Sequence, residues 1–134
     1  MTKNVRWTPG TKKKLRELEE DVRAGFGYGL YLVQEGKETA EIEEAVDGLK
    51  VKQLAGYGAL VYELKQNHNK DTYRCMYTVR LRGAVYVLHA FKKKSKSGIG
   101  LPKDDDNLIR EHLKWAEVHY RQNPVEENDD GNQD

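Results

Sequence analysis

Residues 73–91 read YRCMYTVRLRGAVYVLHAF, and this stretch decides the class of fold. Aromatic and β-branched residues from Tyr73 onward predict one strand, and residues 84–91, apolar at both parities, predict a second and better buried strand. The connection at 80–83 is short, so the two strands are expected to pair in an antiparallel hairpin. Residues 59–65 also alternate between apolar and polar side chains, which adds a third strand and makes a meander.

Helical patterns flank this meander on both sides. Leu15, Leu18 and Val22 recur at helical spacing, and a second helix or a kinked continuation extends the pattern to Gly36. The acidic residues 37–48 predict a surface loop or a short, solvent-facing helix. After residue 103, three aspartates suit a helix N-terminus, and a helical apolar stripe follows them: Ile109, Leu113, Ala116 and Tyr120. We therefore predict an α+β fold, with N-terminal helices and a C-terminal helix packed on a small antiparallel β-sheet.

Length and composition indicate one soluble, cytoplasmic domain. The 134 residues are 37% hydrophobic and 34% charged, which suffices for a modest core under a charged surface. No apolar run approaches the ~18 residues of a membrane helix, and no signal-peptide core follows Met1. The single cysteine, Cys75, excludes an internal disulfide and a cysteine-rich zinc site.

The net charge of +1 conceals an uneven distribution of charge. The last eleven residues hold five acidic side chains and no lysine or arginine, which leaves +6 on residues 1–123. We predict a domain over 1–123 and an acidic disordered tail over 124–134. The positive domain is compatible with a polyanionic partner, although many domains of this size carry similar charge without one.

The basic run KKKSKS at 92–97 begins where the most apolar predicted strand ends. Its lysines are Lys92, Lys93, Lys94 and Lys96. Crowded like charges at a strand end are relieved by an anion such as phosphate, whereas the alternative is a solvated basic loop. Arg80 and Arg82 lie beside the neighbouring strand and extend the basic character of the hairpin. Arg74 alternates with Tyr73 and Cys75, so it either faces a cleft or forms a cross-strand pair with Glu63.

Two further residues are candidates for chemistry. His89 lies within an apolar strand, where it is either a hydrogen-bonded core histidine or an acid–base group. Tyr57 stands between two glycines, which indicates a turn, or an aromatic ring on which RNA bases stack. The sequence shows no metal-ligand spacing and no nucleotide-binding motif, so we predict neither a metal nor another cofactor.

Four ordered stretches carry a resemblance to a known family. They are GYGLYLVQEG at 27–36, KQLAGYGALVYELK at 52–65, DTYRCMYTVRLRGAVYVLHAFKKKSKSG at 71–98 and LPKDDDNLIREHLKWAE at 101–117. Together, over about residues 7–121, they resemble the phage-derived, HigB-like branch of the RelE toxin superfamily. The resemblance implies the toxin of a type II toxin–antitoxin system, which cuts messenger RNA in the ribosomal A site. Its implied partner is an adjacent antitoxin, usually a helix-turn-helix protein in this branch.

The resemblance also implies roles for individual residues. Arg74 matches the arginine that contacts the scissile phosphate, and Lys65 matches the lysine that closes the preceding strand. Glu63 stands where relatives have a further lysine, so part of the basic set is altered. Lys93 and Lys94 fall near the basic residue that follows the last strand.

The identity of the general base stays open. RelE uses a tyrosine shortly after the last strand, and residues 99–106 contain none. A lysine of the basic run, His89 or Glu63 are the alternatives.

The resemblance, together with the basic residues, implies a metal-independent messenger RNA endoribonuclease that acts on the ribosome. The candidate catalytic residues are Arg74, Lys65, Lys93, Lys94 and His89, and the candidate RNA-binding residues are Lys92, Lys96, Arg80, Arg82 and Tyr57. Two alternatives are an RNA-binding or ribosome-binding module that has lost cleavage, and a protein-binding module on the same fold.

Overall fold

The computed structural model describes residues 2–93 and 101–126, in which helices cover both faces of a five-stranded sheet. The elements in chain order are β1 (Asn4–Trp7), α1 (Thr11–Arg16), α2 (Glu20–Gln34), α3 (Thr39–Ala45), β2 (Leu49–Gln53), β3 (Val61–His68), β4 (Asp71–Thr78), β5 (Ala84–Lys93) and α4 (Lys103–Gln122). The strand order is β1-β5-β4-β3-β2. No helix among these residues is long and apolar enough to cross a membrane.

Helices α1 to α3 pack on one face of the sheet. Their apolar side chains, such as Phe26 and Leu30, form one core cluster with Tyr73 and Cys75 of β4. The glycine-rich segment lies in a separate second helix, as one of the two alternatives predicted, because α1 ends at Arg16 and α2 begins at Glu20. A Cβ added at Gly29 would lie 2.9 Å from a methyl carbon of Leu49, so glycine is what lets α2 approach the sheet this closely.

Helix α4 packs on the opposite face, which we call the α4 face. Ile109, Leu113 and Ala116 of the predicted stripe are buried there, in a second cluster that includes Tyr86 and Leu88 of β5. Three aspartates lie in the first turn of α4, where negative charge suits the positive end of the helix dipole. The predicted C-terminal helix is confirmed.

The sheet is mixed, whereas the sequence predicted an antiparallel one. Strands β2 to β5 form the antiparallel meander, and β1 pairs in parallel with β5. After β1 the chain forms the three helices and re-enters the sheet as β2, at the edge farthest from β1. Strands β2, β3, β4 and β5 then run back towards β1 with alternating direction, so β5 lies next to β1 and parallel to it. Strand β2 was not predicted, because five residues with two apolar side chains give too short an alternation.

A β-bulge changes which side chains of β5 share a face. Met76 pairs with His89 while the next residue, Tyr77, pairs with Val87, so Leu88 is the extra residue. Both Leu88 and His89 therefore lie on the α4 face, and the alternation beyond them is shifted by one residue. This shift places Lys93 on the α4 face.

Candidate functional site

Three cations form a line across three neighbouring strands, on the α4 face of the sheet. Lys50 of β2 is paired with Lys65 of β3, and Lys65 is paired with Arg74 of β4. We call these three residues the cationic row. Like charges directly opposite each other destabilise a sheet, and no described residue forms an ion pair with Lys50 or Lys65. The row is thus unfavourable for the fold alone and suited to an anion.

Arg74 is held by a buried carboxylate. Its Nη1 donates to Oε1 of Glu63 over 2.8 Å, and Glu63 is only 2% exposed. Glu63 stands opposite Met76, so the pair is diagonal across the two strands. The cross-strand pair expected as one alternative is therefore confirmed. The Nε of Arg74 is buried and has no hydrogen-bond partner among residues 2–93 and 101–126. The side chain as a whole is 19% exposed, so a ligand can reach its other atoms but not Nε.

The cationic row continues onto β5. Phe91 lies opposite Arg74, and Lys93 lies opposite Thr72, two residues further along the strand. Because alternate residues of a strand share a face, Lys93 is on the same side as Arg74. The structure thus brings together three of the predicted catalytic residues, Arg74, Lys65 and Lys93.

His89 lies beside this group but is sealed from solvent. It is 2% exposed, its ring stacks on Phe91 with the centroids 4.4 Å apart, and its Nε2 lies 2.7 Å from Oδ1 of Asp105 in α4. Burial lowers the pKa of His89, while the hydrogen bond to Asp105 opposes that shift, and the charge of Lys14 lowers the pKa further. The neutral ring donates its Nε2–H to the carboxylate, so His89 anchors α4 to β5.

Tyr57 joins the loop before β3 to the first turns of α4. Its hydroxyl donates to Oδ1 of Asp106 over 2.6 Å, and the guanidinium of Arg110 lies 4.6 Å from the ring centroid. Burial, followed by the hydrogen bond to Asp106, raises the pKa of Tyr57 to about 12. Arg110 therefore occupies one side of the ring that was predicted to stack on RNA bases, and Tyr57 also packs against the α4-face core.

The structure separates the remaining predicted RNA-binding residues from the cationic row. Arg80 donates to the carbonyl oxygen of Tyr57 over 2.8 Å and pairs with Glu117 at 3.0 Å, so it fastens the loop before β3 to α4. Arg82 precedes β5 at the opposite end from Lys93, roughly 30 Å away along an extended strand.

Lys92 lies on the face opposite Lys93. Its Nζ is 3.5 Å from Oδ2 of Asp71, and its paired residue, Tyr73, belongs to the core under the N-terminal helices. Lys94 and Lys96 lie outside the described residues.

Three cations, two on the α4 face and one near His89, were not predicted from the sequence. Lys50 and Lys52 belong to β2, and Lys14 of α1 is close enough to affect the pKa of His89. The run LKVK at 49–52 contained a usable signal, since its alternation places both lysines on the face opposite Leu49 and Val51. Only the pairing of β2 with β3 shows that this face is that of Arg74.

The arrangement is suited to binding and stabilising phosphate. A guanidinium held by one bond presents further N–H donors in a fixed plane, and the neighbouring ammonium groups supply point charges. In the described part of the chain, no group of three or more His, Cys, Asp or Glu side chains is placed to hold a metal ion.

Comparisons with known proteins agree with this architecture. The family described as "Phage derived protein Gp49-like (DUF891)" matches residues 13–114. Among solved structures, a double arginine-to-alanine mutant of the E. coli toxin RelE in the free state is similar, with a TM-score of 0.53 and 21% identity over 86% of this chain and 98% of that chain. No curated protein sequence matches this chain. The predicted RelE-like α+β fold is confirmed, and the family match agrees with the predicted phage-derived resemblance.

Proposed function

We propose that this chain, which belongs to the phage-derived Gp49-like family, is the toxin of a type II toxin–antitoxin system and cuts messenger RNA on the ribosome. The observation that carries the proposal is Arg74, held by the buried Glu63 within a row of otherwise unrelieved cations. The RelE-like fold supports a toxin of this class. The partners are then messenger RNA on the ribosome and a cognate helix-turn-helix antitoxin, and the site of action is the cytoplasm.

The proposed reaction uses the RNA's own 2′-hydroxyl as the nucleophile. The bond from O2′ to phosphorus forms while the bond from phosphorus to O5′ breaks, which leaves a 2′,3′-cyclic phosphate and a 5′-hydroxyl. A base takes the 2′ proton, an acid protonates the leaving oxygen, and a cation stabilises the charge that develops on the phosphorane. Because the nucleophile is internal to the substrate, the proposal invokes no metal.

Arg74 is assigned to the developing charge, because its side chain is partly exposed on the α4 face and its orientation is fixed by Glu63. Lys65 and Lys93 lie on the same face and are the candidates for proton transfer. His89 is sealed under α4 and contributes by holding Asp105 and the helix in place. Lys94 retains its proposed catalytic role on the resemblance alone.

The second candidate function is an RNA-binding or ribosome-binding module without cleavage. It is favoured by one contact, since Glu63 already takes one donor of Arg74 at a position where relatives carry a lysine. The lack of a tyrosine in residues 99–106 points the same way. The third candidate function is a module whose cations bind only an acidic protein.

A cleavage assay on translating ribosomes tests the proposal. Purified protein is added to ribosomes programmed with a defined messenger, with Arg74→Lys as the active-site variant and Lys37→Ala, an exposed lysine after α2, as the control. We expect cleaved messenger ending in a cyclic phosphate with the wild type and the control only. Expression without an antitoxin should also arrest growth. Intact messenger despite ribosome binding would favour the second candidate.

A further inference from the structure

Strand β2 presents two lysines on the face of Arg74. Lys50 and Lys52 are both exposed, while Leu49 and Val51 point to the core under the N-terminal helices. The two lysines are two residues apart, which corresponds to roughly 7 Å along a strand. They lie on the α4 face but at the β2 edge of the sheet. Helix α4 itself packs on β5, three strands away from that edge.

Neither lysine has a counter-charge of its own. Among the residues that the structure describes, neither forms a hydrogen bond or an ion pair through its side chain. Lys50 stands opposite Lys65, and Lys52 stands opposite Glu63, whose carboxylate is already bound to Arg74. The position next to Glu63 therefore does not neutralise the edge.

Lysines on an edge strand often serve to prevent sheet-to-sheet aggregation. That explanation is weaker here, because the edge is already blocked by another group. The Val51 N–H, which points away from the sheet at this edge, donates to Oε2 of Glu43 over 2.8 Å, and α3 packs against β2. Protection of the edge also does not explain why Lys50 stands directly opposite another lysine, Lys65.

We propose that Lys50 and Lys52 form a second phosphate-binding subsite for single-stranded RNA, separate from the scissile phosphate at Arg74. The two positions are two strands apart, about 10 Å. The RNA backbone then crosses the strands from Arg74 over Lys65 to the β2 edge. This inference rests on the proposed function, because it assumes that Arg74 binds the scissile phosphate of the same RNA chain.

The test is binding of a messenger that cannot be cut. The probe is a labelled messenger with 2′-O-methyl groups, measured both free and on programmed bacterial ribosomes, across a series of salt concentrations. The variant is Lys50→Ala/Lys52→Ala. The control is Lys37→Ala/Lys114→Ala, which removes the same charge from two exposed positions, one between α2 and α3 and one in α4. Cleavage of the unmodified messenger is measured in parallel.

We expect the β2 variant to bind several-fold more weakly and to lose about 0.7 from the salt slope per phosphate contact removed, as for single strands. Its KM should rise while kcat stays close to that of the wild type, since the chemical step occurs at Arg74. Unchanged affinity and salt slope, or a loss equal to that of the control, would overturn the subsite.

The same experiment separates this inference from the proposed function. Binding that depends on Lys50 and Lys52 without any cleavage would retain the subsite and remove the enzymatic reading. Cleavage that does not depend on either lysine would support the endoribonuclease function and contradict the subsite. A wild-type protein that binds neither free messenger nor programmed ribosomes would overturn both.

Discussion

Arg74 and Glu63 form an ion pair whose carboxylate is almost fully sealed from water, so the two residues must be considered together. Removing one partner of such a pair leaves an uncompensated buried charge, which costs about 3 kcal/mol. Arg74→Ala should therefore lower the free energy of unfolding by about that amount, and should also reduce cleavage by about 10² to 10³. The melting temperature and the cleavage rate are measured on the same purified protein, and the cleavage assay is run at a temperature below the unfolding transition.

A double variant separates the two effects. Arg74→Ala/Glu63→Ala should recover much of the lost stability, because no buried charge remains unpaired, and should stay inactive. Recovery of cleavage together with stability would show that Arg74 supports only the fold.

Lys92 and Lys93 are adjacent in sequence and lie on opposite faces of the sheet, which allows a matched comparison. Lys93→Ala should weaken RNA binding and cleavage several-fold, whereas Lys92→Ala should leave both close to wild type, because Lys92 pairs with Asp71 on the other face. Equal losses in the two variants would argue against the face assignment. Binding and cleavage of one messenger by both variants are sufficient to decide.

The bulge at Leu88 explains why the sequence could not assign these lysines. Simple alternation from Tyr86 through Leu88 would place Lys92, and not Lys93, on the α4 face. The register of β4 with β5 reverses that assignment. By contrast, the face of Arg74 was predicted correctly, because β4 has no extra residue and its side chains alternate regularly. Tyr73 and Cys75 face the N-terminal helices, and Arg74 lies on the other face of the sheet.

At the scale of elements, the first turn of α4 is attached to the sheet by a histidine that titrates. Burial lowers the pKa of His89, so the unfolded chain takes up this proton at a higher pH than the folded chain does. The stability that His89 contributes is present above its unfolded pKa of about 6.5 and is lost as the pH falls from there through the folded pKa. His89→Gln should therefore flatten the loss of stability on acidification.

Chemical denaturation of both proteins at about pH 7.5 and about pH 5 measures this difference and cancels the contribution of other titrating groups. A wild type and a variant with parallel pH dependence would show that His89 is not the responsible group. The sequence anticipated a hydrogen-bonded core histidine, but not its partner. Asp105 was assigned only to the helix N-terminus, and nothing local shows that this end of α4 lies over β5.

At the scale of the whole molecule, one side chain just beyond the predicted domain boundary at residue 123 contacts the core. Val125 packs against the α4-face core, and its Cγ1 lies 2.9 Å from the position that a Cβ on Gly83 would take. Truncation after Glu126 should leave the melting temperature unchanged. Truncation after Asn123 exposes apolar surface and should lower it by about 3 °C, for a loss near 1 kcal/mol. Equal melting temperatures for the two truncations would contradict this contact.

The parallel pair of β1 with β5 also has a consequence for synthesis. Asn4 is synthesised well before its partner, Ala84, which follows 80 residues later in the chain. Contacts this distant in sequence slow folding, because a long loop must close before they form. A nascent chain that stops before Ala84 lacks the partner of β1, and one that stops before Lys93 still lacks a cation of the proposed site. On the proposed function, the message for this protein is therefore translated at least through the codon of Lys93 before its product can attack any message, including its own.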